Sequence, residues 1–573
     1  MRSLMMLLVV MGLAVFTPAF AQEAKPVSEP GGSQPEAPAT VLRATTRMVV
    51  LDVVATDKHG KPVTDLKAGD FTVLDKGRQQ EIKAFEFQQP ARGPAGASVA
   101  PAALKLPANV FTNNQFTREP KTLNVILLDA MNTTPMSVRW HMLRFLETMP
   151  AGQRVAVYTL NGKLRMLQDF TSDPELLREA LKNHKTERSA VPGSPSTGPK
   201  DQSLSLEAFA NNPLGAGLQE SLQRFTDEET GYANCIHFEL TAQSLQKIAQ
   251  TLAGYAGRKN MIWVAGSVPF RFLDDDYQKK PRCWFDSEEL LQRTYDALGD
   301  AGIAVYPVDA AGLAVFGLDA STSGPSGPAR RQSDYGVELS RQSSANAQNH
   351  FAMAEMARAT GGKAFYDRND LNTAIKNGIT DGSTYYLLGY YPSDKNWDGK
   401  FRKVEVKVNR PDINLRHRPG YYAIDKQSDA KDRKARESAV AGALDIANPA
   451  ATTLLFTAAV TPPSGQTGGK MVVKYNIDPH SILFESGANG LQHADVTCWV
   501  RAFNEKGDPL KATSQTSSAS LKPDTYQRVL KTAFPCTAEM ELPAGKYVLR
   551  FAVRDERAGL MGTANGKVTI AEE

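Results

Sequence analysis

Asp129-Ala130-Met131-Asn132-Thr133 places a carboxylate, an amide and a hydroxyl within one short stretch of chain. The stretch closes the apolar run Leu123 to Leu128, whose lack of alternation reads as a strand buried on both faces of a parallel sheet. In such sheets ligands collect outside the carboxyl ends of the strands. Asp129, delivered to that exposed rim, is therefore a candidate ion or ligand site. The competing assignment is local: Asp129 caps the helix that follows, accepting backbone N–H groups at the positive end of its dipole.

Other reactive groups are scattered. Asp274-Asp275-Asp276 reads as a solvated loop. Tyr385, Tyr386, Tyr390 and Tyr391 divide by alternation between a core face and a covered outer face, in preference to a partner-binding platform. The eight histidines (59, 141, 184, 237, 350, 417, 480 and 493) share no repeated spacing, and none is expected beside Asp129. With no HExxH and no GxSxG, no catalytic constellation is predicted and the chain is read as not an enzyme. Four cysteines fall into a middle pair, Cys235 and Cys283, and a late pair, Cys498 and Cys536. In an oxidising compartment these predict two local disulfides, and the absence of CxxC spacing disfavours zinc. A formal net charge of +4 on 573 residues gives no nucleic-acid surface.

The elements that must position these groups follow from composition. Arg2, the apolar stretch Leu4 to Phe16 and Ala19-Phe20-Ala21 read as a signal peptide over 1–21, cleaved before Gln22. The stretch is shorter than the roughly 20 residues that span about 30 Å of hydrocarbon. The expectation is export, to the periplasm or outside the cell, without stable membrane insertion after cleavage. Residues 22–42, rich in Pro, Gly, Glu and Ala, form a disordered leader. An N-terminal β module is expected over 43–88 and a Pro/Ala linker over 89–114. An α/β domain follows over 115–380, carrying a Ser/Gly/Pro-rich insertion at 189–205. Within it Asn260 to Gly266 and Gly302 to Asp309 repeat the buried-strand pattern behind amphipathic helices, which describes a doubly wound, mostly parallel sheet. Residues 381–424 are a β extension that can pair with 43–88, 425–450 a second linker, and 451–573 a C-terminal β-sandwich. The fold class is thus multidomain α/β plus β.

The order of these segments resembles that of a von Willebrand factor type A domain, and more narrowly the VWFA-related proteins of acidobacteria. The segments that carry the resemblance are VVLDVVATDKHGKPVTDLKAGDFTVLDKG, NVILLDAMNT, GRKNMIWVAG, MAEMARATGGKAFYD, YYLLGYYP and GKFRKVEVKVNRPDINLRHRPGYYA, spread over about residues 43 to 423. The resemblance implies a metal-ion-dependent adhesion site: Asp-x-Ser-x-Ser after the first strand, a Thr from a later loop and an Asp after the fourth strand. Such oxygens suit Mg2+ or Ca2+, and here Asp129, Asn132 and Thr133 are the implied ligands. Met131 replaces the first hydroxyl with a thioether that hard cations disfavour. Gly266 or Ser267 stands where the later Asp belongs, so the site is degenerate. The function expected is an exported, noncatalytic interaction or adhesion module. It would present its carboxyl-edge loops to a protein partner in the cell envelope or outside the cell. The alternatives are a structural envelope scaffold and a hydrolase whose site is assembled from loops.

Overall fold

Alternating apolar residues build the first strands, Val49–Asp57 (β1), Phe71–Asp75 (β2), Arg78–Gln80 (β3) and Ile82–Gln88 (β4). The β2–β3 turn uses Lys76 and Gly77, both at positive φ, the geometry of a two-residue hairpin. The computed structural model describes residues 48–89, 106–114, 122–133, 142–147, 149, 153–183, 191, 213–270, 284–310, 332–367, 370–424, 433–487 and 490–571. The expected signal peptide and leader, Cys283, Asp274, Asp275, Asp276 and the 189–205 insertion apart from Val191 lie outside the described residues. Among those described, no helix is long and apolar enough to cross a membrane.

A three-residue strand, Val110–Thr112 (β5), precedes the central sheet. That sheet is made of Thr122–Asp129 (β6), Val155–Leu160 (β7), Leu164–Thr171 (β8), Arg258–Ala265 (β9) and Ile303–Asp309 (β10). Its order is β10-β9-β6-β7-β8, parallel throughout except for β8, which returns as a hairpin from β7. Phe365 adds a parallel bridge beyond β10. All eight residues of β9 are buried, the apolar run Met261 to Ala265 as well as Arg258, Lys259 and Asn260 ahead of it. Helices Pro213–Leu252, Trp284–Asp300 and Gln332–Thr360 cover one face through Leu245, Ile248, Leu298, Met353 and Met356. Helix 142–147, Pro174–Asn183 and Leu371–Asp381 cover the other through Phe145, Leu177, Leu181, Leu371 and Ile375. The sheet is doubly wound. The first halves of helices Pro213–Leu252 and Gln332–Thr360 lack the apolar period that marks a buried stripe, so periodicity alone signals only their second halves.

Tyr385–Tyr390 (β11), Phe401–Val408 (β12), Ile413–Arg416 (β13) and Gly420–Tyr422 (β14) return to the first strands. They form two four-stranded sheets, β13-β1-β11-β4 and β14-β12-β2-β3, so segments on either side of the α/β domain interleave strand by strand. Both sheets face one hydrophobic cluster that includes Leu51, Val53, Phe71, Val73, Tyr386, Leu388, Tyr390 and Val404. Tyr385 is also fully buried, and only Tyr391 of the four tyrosines is exposed. Tyr386 and Tyr390 spend their hydroxyls inside this lobe, on Val63 O and Asp75 Oδ2, both at 3.0 Å.

The lobe is tied to the amino end of the central sheet. Arg258, the first residue of β9 and 2% exposed, donates through Nη2 to Gly361 O at 2.8 Å and Tyr306 Oη at 3.2 Å. Its Nη1 lies 4.0 Å from Asp52 of β1, and its backbone N–H donates to Tyr385 Oη at 2.8 Å. Lys259 donates to Tyr255 O and to Ala301 O. Asp381 accepts from Tyr306 and Arg416, and Arg418 donates to Val50 O. Burial pushes the Asp52 carboxyl up, while Arg258, Lys259 and Arg418 pull it down.

The C-terminal strands are Phe456–Thr461 (β15), Met471–Ile477 (β16), Glu485–Ser486 (β17), Gln492–Phe503 (β18), Pro509–Leu521 (β19), Phe534–Met540 (β20), Gly545–Asp555 (β21) and Met561–Ile570 (β22). They make the sheets β20-β16-β15-β5 and β17-β18-β21-β22, with β19 added to β18, and the two share one core. Cys498 of β18 and Cys536 of β20 form a disulfide between the sheets. Cys235 is also disulfide-bonded, and its expected partner Cys283 is among the undescribed residues.

Two expected linkers are corrected. In 89–114, β5 pairs with β15, and buried Asn113 donates to Ala451 O and Leu454 O and accepts from Phe456 N at 2.7–3.0 Å. Within 425–450, Arg433–Ala443 is a helix, and buried Arg550 donates to Ala443 O and Pro449 O. Both ties are invisible to periodicity because a single polar side chain makes them. Thr452 fastens this lobe to the end of helix Pro213–Leu252, donating its N–H to Gln250 O and accepting from Gly254 N on its hydroxyl. A Cβ on Gly254 would lie 1.9 Å from Thr452 O, so this approach requires glycine.

Candidate functional site

Asp129 ends β6, and the chain turns straight back onto it. Oδ1 accepts the backbone N–H groups of Met131 and Asn132, both at 3.1 Å. Oδ2 accepts Asn132 Nδ2 at 2.7 Å and the Trp263 indole Nε1 at 3.2 Å. A carboxylate offers about four lone-pair positions, and four donors fill them. The side chain is 1% exposed, and burial pushes its carboxyl up to about 6 against the downward pull of these donors. The rim placement expected from sequence is therefore corrected: Asp129 sits beneath the surface with N–H groups aimed at both oxygens. Two of its donors are backbone N–H groups just ahead, the pattern of a local Asx turn.

The structure does bring Asp129, Asn132 and Thr133 together. Asn132 Oδ1 faces His237 Nδ1 of helix Pro213–Leu252 at 2.9 Å, so with the amide donating to Asp129 the ring nitrogen carries the proton. Thr133 Oγ1 and Asn132 O both accept from Gly266 N, at 2.6 and 3.1 Å. Asn132 and Thr133 are buried. Gly266 stands where the resemblance implies an Asp, and a Cβ there would lie 2.9 Å from Asn132 O, so the close packing of the β9 exit on the 132–133 backbone leaves little room for a side chain. Met131, in place of a hydroxyl, is wholly buried in the core cluster with Leu127, Tyr158 and Trp263. Each departure from the oxygen-rich pattern thus does packing or hydrogen-bonding work inside the sheet end. Among the described residues no cluster of three or more His, Cys, Asp or Glu side chains is arranged to hold a metal ion.

Further residues that sequence reasoning missed complete this edge. Asn349 of helix Gln332–Thr360 accepts Val268 N at 2.8 Å and donates to Gly266 O at 3.1 Å. Beside it, His350 Nε2 lies 3.1 Å from Asp309 Oδ2 at the end of β10. Asp309 had a legible signal, because it ends an apolar strand as Asp129 does. His237, Trp263 and Asn349 had none, being single residues on elements far away in the chain.

No family model matches the sequence, and no curated protein matches it. Solved structures to which the chain is similar include an aerotolerance-related membrane protein from Bacteroides fragilis carrying multiple mutations to serine, at 12% identity over 45% of this chain and 98% of that one, with a TM-score of 0.22. The conserved hypothetical protein BatB from Bacteroides thetaiotaomicron is similar at 12% identity over 45% and 97%, with a TM-score of 0.20. A von Willebrand factor type A structure from Catenulispora acidiphila is similar at 8% identity over 88% of this chain and 75% of that one, with a TM-score of 0.23.

Proposed function

We propose that the chain is an exported, noncatalytic interaction module that engages a protein partner through the carboxyl edge of its central sheet, without an ion at Asp129. The observation that carries this reading is the set of four donors on the Asp129 carboxylate, which does the structural work that a bound cation would otherwise do. A cation at that position would meet N–H protons in place of lone pairs, and displacing them would leave buried donors unpaired at about 1–3 kcal/mol each. The edge is held firm by Asn132, Thr133, Gly266 and Asn349, which join β6, β9 and two helices. A rigid rim suits recognition by shape. Both paired-sheet lobes, which we read as β-sandwiches, are tied in at the opposite end of the sheet.

The test is site-specific photocrosslinking of the full chain in its own cell envelope. A crosslinker at exposed Phe351 or Tyr366, near the carboxyl edge, is expected to capture a discrete protein, and one at exposed Phe401 of β12 is not. Equal capture from Phe401 alone would favour the scaffold reading, and capture from neither edge position would overturn the present one. Sequencing the mature amino terminus checks export, with Gln22 expected first.

A further inference from the structure

Helix Gln332–Thr360 meets the end of β10 and the turn after Phe365 through one imidazole ring. His350 is 20% exposed; its Nε2 lies 3.1 Å from Asp309 Oδ2 and its Nδ1 lies 3.9 Å from Asp367 Oδ2. Asp309 is 4% exposed and Asp367 60% exposed. The ring also stacks on Tyr366, centroids 4.5 Å apart and planes 13° apart, which fixes the direction of both nitrogens. Among the described residues, the titratable groups facing the ring from the elements packed against it are Asp309 of β10 and Asp367 and Tyr366 of the turn. Lys363 lies over the Phe365 ring, 5.8 Å from its centroid.

A neutral imidazole has one N–H and one lone pair. Donating to buried Asp309, it turns its lone pair on Asp367, and two acceptors then face each other. The imidazolium has two N–H groups, one bonded to Asp309 at 3.1 Å and the other turned on Asp367 at ion-pair distance. Histidine changes charge between about pH 5 and 8. We propose that His350 is a proton-operated latch on the carboxyl rim: protonated, it joins β10, the helix and the 365–367 turn through one cation, and deprotonated it releases Asp367 and loosens that turn. The latch extends the interaction reading, because the turn it controls borders the proposed contact edge, but its test reads the free protein and needs no partner.

The experiment is hydrogen exchange of the full chain, expressed as protection factors so that the intrinsic pH dependence cancels. Amides of residues 363–367 are expected to be about threefold better protected at pH 5.5 than at pH 7.5, the scale of a partly exposed charge pair. In Asp367→Asn, which keeps the shape and removes the charge at an exposed site, that ratio falls to about one. His350→Gln should show the same loss. If it fails to fold, Asp367→Asn decides alone. A ratio near one in the unmodified protein, or an unchanged ratio in Asp367→Asn, overturns the latch and leaves the crosslinking result untouched.

Discussion

The two ends of the central sheet both bury charge, in opposite ways. At the end of β6 the Asp129 carboxylate is surrounded by neutral donors, two of them from its own turn. At the amino end Arg258, Lys259, Arg416 and Arg418 meet Asp52, Asp381 and a set of carbonyls. The first arrangement is local and stiffens a turn. The second joins β1 and β13 to β9 and β10, and makes the flanking lobe part of the same folded unit. Burying ions is favourable only when each is paired and hydrogen-bonded, so the amino end is where one substitution should do the most damage.

The largest effect is expected from Arg258→Ala. It takes from half-buried Asp52 the first of its three cationic neighbours and removes donors from Gly361 and Tyr306, at about 3–5 kcal/mol. Urea unfolding of the full chain checks it, and a loss below about 1 kcal/mol would mean that the seam is not what holds the lobe. The next effect lies at the other end and is read through pH. The Asp129 carboxyl is raised from 3.8 to about 6 in the folded chain. The folded state therefore binds more protons than the unfolded one between those values, and stability falls as pH rises through that window. The raised value corresponds to about 3 kcal/mol lost by neutral pH and absent below about pH 4. Asp129→Asn removes this dependence, so the stability of the unmodified chain minus that of the variant should drop by that amount between pH 4 and 7. A difference that stays flat would show that the donors fully offset burial.

A smaller effect tests how local the carboxyl end is. Asn132→Leu deprives Asp129 Oδ2 of one donor and His237 Nδ1 of its acceptor, at about 1–3 kcal/mol. The loss should be confined to the carboxyl edge, with hydrogen exchange unchanged in the lobe containing β1 and β11. Spread of the effect to that lobe would erase the contrast between the two ends.

How much of this was legible depends on how each feature is encoded. Strands β6, β9 and β10 announce themselves because burial on both faces forces continuous apolar runs, and β12 because its alternation is regular. β19 leaves no such mark: its residues Lys511 to Ser520 are mostly polar and mostly exposed, so no apolar face marks it as a strand. β5 reads as part of a linker because three residues carry no period. The candidate site was half legible. Asp129, Asn132 and Thr133 are neighbours in sequence and in space. Trp263 and His237, which decide that the carboxylate is closed, come from β9 and a helix, and no local pattern ties them to it. The seam was wholly hidden, since Asp52 and Arg258 are single charges on separate elements.

The smallest expected effect is also the one that decides between closure and ion binding at Asp129. A ligand that binds only the folded chain stabilises it by about 2.7 kcal/mol at a concentration one hundred times its dissociation constant. If Asp129, Asn132 and Thr133 formed an ion site, millimolar Mg2+ or Ca2+ would raise the unfolding midpoint, and Asp129→Asn or Thr133→Val would cancel the rise. The geometry predicts no such rise. Thr133 Oγ1 already accepts from Gly266 N, Asn132 Oδ1 faces the His237 ring, and both Asp129 oxygens accept two N–H groups each. An ion would have to unmake bonds that connect β6 to β9 and to helix Pro213–Leu252 before making its own. A metal-dependent rise that both variants abolish would show that the turn reopens, and would make the carboxyl end an ion site after all.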